Sequence, residues 1–286
     1  MPPVSLFLFQ GSARLQFGPH RERARADAEV LLMHLLRRDR VWLITHSNDD
    51  IGSNHWEPYS GLLQRRRNGE PIQYIIGETE FYGLPFRVAP EVLIPRPETE
   101  HLVEKVIELA ASFPSPRIVD IGTGSGAIAV ALAHHLPNAG LTAIDLSEPA
   151  LTIARENAEH NGVAFRFLQG DLLNPVVDEQ FDIVVSNPPY VPEIDRPTLS
   201  VEVRDYEPGL ALFAGNDGLD IYRRLIPQAF GCLVSGGFIA LEIGYGQSPA
   251  VADLLGAAGF CNIEFAPDLQ GIPRVATAQR PQGNRI

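Results

Sequence analysis

Four residues that follow an apolar run combine side chains and backbone groups suited to binding an amino group. Asn187-Pro188-Pro189-Tyr190 come directly after residues 181–186, whose β-branched side chains predict a buried parallel strand. The Asn187 carboxamide offers an acceptor oxygen. The two prolines lack N–H groups, so the turn presents carbonyls with few competing donors. Tyr190 adds an aromatic face on which a flat group can pack.

These features predict chemistry on a planar –NH2 group. One of its hydrogens would bind the Asn187 oxygen, and the other would bind a backbone carbonyl such as that of Pro188. Two acceptors on the hydrogens stabilise the positive charge that develops when a delocalised nitrogen attacks, so no strong base is required. A rigid turn is the purely structural alternative. The carboxyl end of a strand, however, is where open α/β sheets bind ligands.

A glycine-rich turn upstream predicts a loop that holds a cofactor. The apolar strand predicted at 117–121 leads into Gly122-Thr123-Gly124-Ser125-Gly126, and a helix is predicted over 126–135. Glycine permits positive φ and close approach of a ligand to the backbone, and a helix N-terminus can receive an anionic group. The spacing is neither that of a P-loop nor the dinucleotide pattern G-x-G-x-x-G. The turn therefore predicts a nucleoside cofactor without identifying it.

An acid at the end of the next predicted strand, 141–145, strengthens this prediction. Asp145 lies about 20 residues beyond the glycine turn, where a carboxylate suits a ribose diol. It would serve NAD or S-adenosylmethionine equally well. Ser147 is better placed than Asp145 to cap the helix predicted at 148–160, so we expect Asp145 to be available to a ligand.

A third acid follows the strand predicted at 164–168. Asp171 is expected to accept a hydrogen bond from an adenine amine, while Leu172 packs on the adenine ring. Without the other motifs, an ordinary loop position is an equal alternative for Asp171. The glycine turn, Asp145 and Asp171 each follow a predicted strand, and the carboxyl ends of strands are where open α/β sheets bind ligands.

Taken together, these motifs resemble those of class I S-adenosylmethionine-dependent methyltransferases. Within that class the chain resembles the PrmC/HemK family, which methylates the side-chain nitrogen of the glutamine in the Gly-Gly-Gln motif of peptide chain release factors. The resemblance covers nearly the whole chain. The further segments that carry it are 71–77, 81–84, Leu93-Ile94-Pro95-Arg96-Pro97-Glu98-Thr99-Glu100, 207–212 and 215–219.

The resemblance implies S-adenosylmethionine as cofactor, a release factor as protein substrate, and transfer of one methyl group to glutamine. It implies catalytic roles for Asn187, Pro188 and Tyr190, with Pro189 also at the substrate. The implied cofactor residues are Gly122, Thr123, Gly124, Ser125, Gly126, Asp145, Asp171, Leu172 and Asn187. Arg96 and Thr99 resemble family positions near the cofactor, although Arg96 has the alternative of pairing with a carboxylate. Glu242, at a predicted strand end, is a weaker candidate.

Three other functions stay open at this point. The tetrad is shared with methylases of adenine amines in DNA or RNA, and a related enzyme would methylate glutamine in another protein. A protein that keeps the cofactor pocket without turnover is the third. The net charge of −12 disfavours a nucleic-acid substrate, because duplex binding requires neutralisation of phosphates. The arginines of the first quarter fit solvated helix faces or docking of a protein partner.

The remaining composition predicts a cytoplasmic protein with no metal and no membrane contact, and we expect a monomer, although the sequence itself does not fix the oligomeric state. The eight histidines show no metal-ligand spacing, and the two cysteines have no C-x-x-C partner. No apolar stretch is long enough to span a bilayer, and residues 4–9 lack the flanks of a signal peptide.

The predicted fold class is α/β, with a Rossmann-like class I methyltransferase sheet of seven strands, the last one antiparallel. Strands alternate with helices, which favours a parallel sheet, and the pattern from about 15 to 75 is helical. We predict a helical, release-factor-docking domain at 1–75, a β-hairpin linker at 76–92 and the methyltransferase domain at 93–286. The loop from 191 to 217 is long enough to indicate a functional role, here as part of a substrate groove.

Overall fold

The computed structural model describes residues 2–283, which contain helices, a two-stranded sheet and a seven-stranded sheet. The helices are α1 Val4–Leu15, α2 Ala24–Leu36, α3 Arg40–Thr45, α4 Trp56–Arg67, α5 Ile72–Ile76, α6 Glu100–Ala110, α7 Ala127–His135, α8 Glu148–His160, α9 Val201–Tyr206, α10 Asp220–Cys232 and α11 Ser248–Ala257. The strands are β1 Glu78–Phe81, β2 Leu84–Arg87, β3 Arg117–Ile121, β4 Gly140–Asp145, β5 Arg166–Gln169, β6 Phe181–Ser186, β7 Leu233–Glu242, β8 Cys261–Pro267 and β9 Pro273–Gln279. Among these described helices, none is both long and apolar enough to cross a membrane.

The chain divides into two compact units. One comprises the residues up to Glu78 together with Leu199–Tyr206, and the other comprises Thr79–Thr198 and the residues from Glu207 onward. The predicted domain boundaries at residues 75 and 92 stay a proposal. Strands β1 and β2 pair through a two-residue turn, and they form the hairpin that the alternation of residues 77–88 predicts.

The first unit is a helical bundle with its own core. Leu31 and Leu32 of α2 are fully buried, as is Tyr59 of α4, whose hydroxyl donates to the Ala28 carbonyl at 2.9 Å. Helix α1, which was not predicted, buries Val4, Phe7, Gly11 and Leu15 along one side. That spacing follows the helical period, so the signal was present in the sequence.

A buried ion pair connects the helices of this unit. Arg66 of α4 donates from Nε to Asp27 Oδ2 of α2 at 2.6 Å, and both side chains are 2% exposed. Arg66 Nη1 also donates to Glu202 of α9. Helix α9 lies in the stretch predicted as an irregular loop, and the contact with Arg66 explains how a helix of six residues is held there.

The second unit contains the seven-stranded sheet, in the order β5-β4-β3-β6-β7-β9-β8. Strands β3 to β7 run parallel, and β9 runs antiparallel to both β7 and β8. The predicted fold class is confirmed, including the antiparallel direction of the last strand in sequence.

The strand order reverses at β3, which pairs with β4 on one side and with β6 on the other. In the register, Ile121 at the end of β3 pairs with Ile144 and with Ser186. The loops that follow these three strands therefore leave the sheet at one edge. That edge, at a reversal of strand order, is where open α/β sheets bind ligands.

Candidate active site

A cavity of about 270 Å³ lies at this edge of the second unit. It brings together residues that are distant in sequence, because the carboxyl ends of β3, β4 and β6 meet there. The predicted site residues that line it are Arg96, Thr99, Gly122, Thr123, Gly124, Ser125, Asp145, Asp171, Leu172, Asn187, Pro188 and Pro189. Two predicted residues, Gly126 and Tyr190, lie outside this lining.

The glycine turn after β3 forms one wall of the cavity. Gly122 and Gly124 have φ of 69° and 55°, a region that side chains rarely adopt. The N–H groups of Gly122 and Thr123 donate to the Ile144 carbonyl at 2.8 and 3.1 Å, which ties the turn to β4. Gly126 instead packs against α8, where a Cβ would lie 3.1 Å from the Ala154 Cβ. The position of Gly126 therefore serves close packing of the turn on a helix.

Asp120, at the next-to-last position of β3, was not predicted to belong to the site. Its Oδ2 accepts a hydrogen bond from Thr123 Oγ1 at 2.6 Å, so it braces the glycine turn from beneath. Burial raises the pKa of Asp120 to about 7, with a smaller contribution from the charge of Asp145. Its sequence signal was a carboxylate two residues before the first glycine of the turn.

Asp145 joins the loops after β3 and β4. Its Oδ2 accepts from the Gly124 N–H at 2.8 Å, and its Oδ1 accepts from the Ser147 N–H at 2.9 Å. Burial raises the pKa of Asp145, and the two backbone donors oppose that rise. Ser147 caps α8 by accepting from the Ala150 N–H, which confirms the predicted helix cap. Asp145 thus presents a fixed carboxylate to the cavity.

Asp171 has a partner that the sequence did not reveal. Arg224 of α10 donates to Asp171 Oδ2, and both residues line the cavity beside Leu172. The two side chains lie 53 positions apart in sequence, so no local pattern links them. The pair holds one carboxylate oxygen of Asp171 and leaves the other oxygen as an acceptor.

A hydrogen bond to Thr99 holds the Asn187 carboxamide in one orientation. Its Nδ2 donates to Thr99 Oγ1 at 3.1 Å, which leaves Oδ1 as the end of the carboxamide available to a ligand. Pro188 and Pro189 continue the wall of the cavity and contribute no N–H donors. The end of β6 therefore places the Asn187 carboxamide and two residues without N–H donors at the cavity wall.

Behind this wall lies a buried carboxylate, Glu242, at the end of β7. Thr99 Oγ1 donates to its Oε2 at 2.6 Å, and the Tyr190 hydroxyl donates to its Oε1 at 3.1 Å. Glu242 is 2% exposed, and burial raises its pKa. Burial also raises the pKa of Tyr190, and the charge of Glu242 adds to the rise. Tyr190 is therefore a neutral donor to Glu242, and it does not line the cavity.

Arg96 has both of the features considered for it. It lines the cavity, and its Nη2 donates to Glu207 Oε1 at 2.5 Å, so the pairing with a carboxylate is confirmed. Glu207 is almost fully buried, and the following residues Pro208, Leu210 and Ala211 also line the cavity. The Arg96–Glu207 pair thereby holds this segment at the cavity wall.

The donors and acceptors of the cavity fit a nucleoside cofactor. A glycine turn allows close backbone approach, Asp145 supplies a carboxylate for a diol, and Asp171 with Leu172 offers an acceptor beside an apolar side chain. Asn187 adds a neutral acceptor to the same cavity lining. The arrangement can place a cofactor next to an amino group that is bound through its hydrogens.

Comparison with known proteins agrees with this geometry. Residues 98–201 match the family model described as methyltransferase small domain, and residues 8–77 match the model described as PrmC N-terminal domain. A structure of a methyltransferase from Pyrococcus furiosus has a TM-score of 0.51, with 20% identity, over 70% of this chain and 91% of that chain. This likeness shows the fold that the two proteins share.

Curated relatives match over almost the whole chain. The chain is 43% identical to a release factor glutamine methyltransferase of Koribacter versatilis over 90% of this chain and 91% of the relative. It is 45% identical to the enzyme of the same name from Moorella thermoacetica over 91% of this chain and 92% of the relative.

Proposed function

The chain belongs to the family of release factor glutamine methyltransferases, and we propose that it methylates the glutamine of the Gly-Gly-Gln motif in peptide chain release factors, with S-adenosylmethionine as methyl donor. Membership of this family makes it a glutamine methyltransferase. The position of the glutamine within the release factor, the choice of cofactor and the residues that perform the reaction are parts of the proposal.

The hydrogen bond from Asn187 Nδ2 to Thr99 Oγ1 is the observation that supports the proposal most directly. A carboxamide held through its nitrogen presents its oxygen, and an oxygen is what the –NH2 of a glutamine side chain requires. The Pro188 carbonyl is proposed as the second acceptor. Two acceptors distinguish a primary amide from a hydroxyl or a carboxylate, because only the amide brings two N–H donors.

The cofactor supplies an electrophilic methyl group on a sulfonium, and the chain supplies binding and orientation. The loop from Gly122 to Ser125 is proposed to hold the methionine end, Asp145 the ribose, and Asp171 with Leu172 the adenine. Placement of both reactants in one cavity removes much of the entropic cost of their encounter. Arg96 contributes by holding the wall formed by residues 208–211.

The amide nitrogen becomes reactive because both of its hydrogens are bound by acceptor oxygens. If the bound cofactor supplied its methyl group, with the electron pair of the S–C bond left on sulfur, positive charge would develop on the amide nitrogen and would be shared with its two hydrogens. The Asn187 oxygen and the Pro188 carbonyl stabilise that charge, and they stabilise it more strongly than they stabilise the neutral amide. One N–H proton then leaves to water, and the product is a secondary amide.

Methylation of an adenine amine is the alternative, since the same acceptors suit an aryl amine. The net charge of −12 and the names of the relatives both favour a protein substrate. We therefore propose release factors as partners, a cytoplasmic place of action, and a chain that works as a monomer.

Incubation of the purified protein with labelled S-adenosylmethionine and a release factor, followed by mass mapping of peptides, tests the proposal. We expect one added methyl group on the Gly-Gly-Gln glutamine and none with Asn187→Ala. A release factor whose motif glutamine is replaced by alanine serves as the substrate control. Label on that control protein, or on adenine in added DNA or RNA, would contradict the substrate assignment.

A further inference from the structure

Three side chains, one in the cavity wall and two behind it, form a hydrogen-bonded series that ends at Asn187. They come from three separate segments: Thr99 directly before α6, Glu242 at the end of β7, and Tyr190 after β6. The series runs from Asn187 Nδ2 to Thr99 Oγ1 at 3.1 Å, and from Thr99 Oγ1 to Glu242 Oε2 at 2.6 Å. Thr99 and Glu242 are 4% and 2% exposed, so water does not compete for these bonds.

The count of protons fixes the direction of every bond in this series. An ionised carboxylate only accepts, so the single hydroxyl proton of Thr99 must point toward Glu242. The Thr99 oxygen is then left only as an acceptor toward Asn187. An acceptor attracts the NH2 end of the carboxamide and repels its carbonyl end. The charge of Glu242 is thereby converted, through one hydroxyl, into a fixed orientation of Asn187.

We propose that Thr99 and Glu242 are positioning residues that set which end of the Asn187 carboxamide faces the substrate amide. Neither side chain needs to touch the transferred methyl group or the substrate nitrogen. Tyr190 supports the same arrangement, because its hydroxyl donates to Glu242 Oε1 at 3.1 Å and so satisfies the second carboxylate oxygen. With this series intact, the acceptor of Asn187 is already in place before the substrate arrives.

Protonation of Glu242 would reverse the series. A neutral carboxylic acid can donate to Thr99, whose own proton is then free to turn toward Asn187 and to attract the carbonyl end. Other charged or titratable groups face Glu242 from the segments around it: Arg274 on β9, Glu98 before α6, Tyr190 after β6 and Tyr222 on α10. Burial favours the neutral form of Glu242, while Thr99, Tyr190 and Arg274 favour the ionised form.

Steady-state kinetics with a release factor gives the first test, which depends on the proposed function. Thr99→Val removes the hydroxyl and keeps the shape, and we expect kcat to fall about tenfold or more, since the acceptor is no longer held in place. The KM for S-adenosylmethionine should change less than kcat does, because Thr99→Val keeps the shape of the cavity wall to which Thr99 contributes. Thr99→Ser restores the hydroxyl and should recover most of kcat.

Two further variants separate orientation from a general loss of structure. Thr142→Val removes a buried hydroxyl from β4 outside the cavity lining, and we expect no change in kcat. Glu242→Gln can donate to Thr99, so it permits the reversed series. For the wild-type protein, kcat should fall as the pH falls through the pKa of Glu242. In Glu242→Gln, kcat should be low at every pH and lack that acidic limb.

An NMR measurement tests the orientation without any substrate. In protein labelled with ¹⁵N-asparagine, the Asn187 side-chain signal is the one missing from Asn187→Ala. We expect the side-chain hydrogen that Asn187 donates to Thr99 Oγ1 to exchange slowly with water in the wild-type protein and in Thr99→Ser, and to exchange faster in Thr99→Val. An unchanged signal in Thr99→Val, or full kcat in that variant, would overturn the role of Thr99. Failure of the wild-type protein to methylate a release factor would count against the proposed function. The NMR result would still decide how the Asn187 carboxamide is oriented, because that measurement uses no substrate.

Discussion

Two glycines with the same backbone conformation and different positions give a matched test of the cofactor loop. Gly124 lines the cavity with φ of 55°, and Gly162 lies after α8, outside the lining, with φ of 67°. A Cβ at Gly124 would have one neighbour, the Gly122 oxygen at 4.0 Å, and a Cβ at Gly162 would have none within 4 Å. Substitution by alanine therefore adds backbone strain at both positions without a steric clash inside the protein.

The strain of a left-handed alanine costs about 1–2 kcal/mol, so Gly124→Ala and Gly162→Ala should lower the free energy of unfolding by similar amounts. Their effects on cofactor binding should differ. At Gly124 the new methyl group enters the space of the cavity, where the backbone is expected to lie in contact with the methionine end of S-adenosylmethionine. We expect its Kd to rise about tenfold or more, which corresponds to about 1.4 kcal/mol.

Isothermal titration calorimetry gives the two Kd values, and denaturant unfolding gives the two stabilities. Gly162→Ala should bind S-adenosylmethionine as the wild-type protein does, although it is equally destabilised. Equal Kd values for Gly124→Ala and Gly162→Ala would refute the assignment of this loop to the cofactor. A loss of affinity in both variants would show that strain, rather than the position of the methyl group, weakens binding.

Three further predictions concern charged groups. Asp27→Ala should lower the free energy of unfolding by about 3 kcal/mol in a denaturant titration, because it removes the fully buried partner of Arg66 Nε and leaves Glu202, which is more exposed, as the carboxylate beside that buried charge. The pKa of Asp120 is raised from 3.8 to about 7, so the wild-type protein should lose stability as the pH rises between these values, and Asp120→Asn should lack that loss when unfolding is followed against pH. Arg224→Met should change the unfolding free energy by less than about 1 kcal/mol, since the pair with Asp171 is exposed. Calorimetry should nevertheless show weaker binding of S-adenosylmethionine, because Asp171 loses the donor that holds its carboxylate at the cavity.

The sheet of the second unit was largely predictable, because each strand is a short apolar run followed by a turn. Strand β6 begins and ends where the sequence places it, and β3 does as well. Strand β7 begins at Leu233, although Gly236 and Gly237 have the pattern of a turn. The strand continues through them with φ of 84° at Gly236, and the register between β6 and β7 shifts in this region.

Helix α9, unlike α1, depends on a contact between residues that are distant in sequence. Helix α9 contains too few residues to be stable alone, and its Glu202 binds Arg66 from far upstream in the chain. The same reason applies to the cavity: the sequence supplied the residues at the strand ends, but not their partners. Thr99 and Glu242 are 143 positions apart, so their hydrogen bond, and with it the orientation of Asn187, emerges only from the fold.

The central claim is that the Asn187 oxygen stabilises the charge that develops on the substrate nitrogen. The rate of a single turnover, measured by rapid quenching with saturating S-adenosylmethionine and release factor, tests it most directly. For Asn187→Ala we expect this rate to fall about a hundredfold or more at saturating cofactor, where a weaker Kd for the cofactor does not affect it. Methyl transfer at the wild-type rate by Asn187→Ala would contradict the claim.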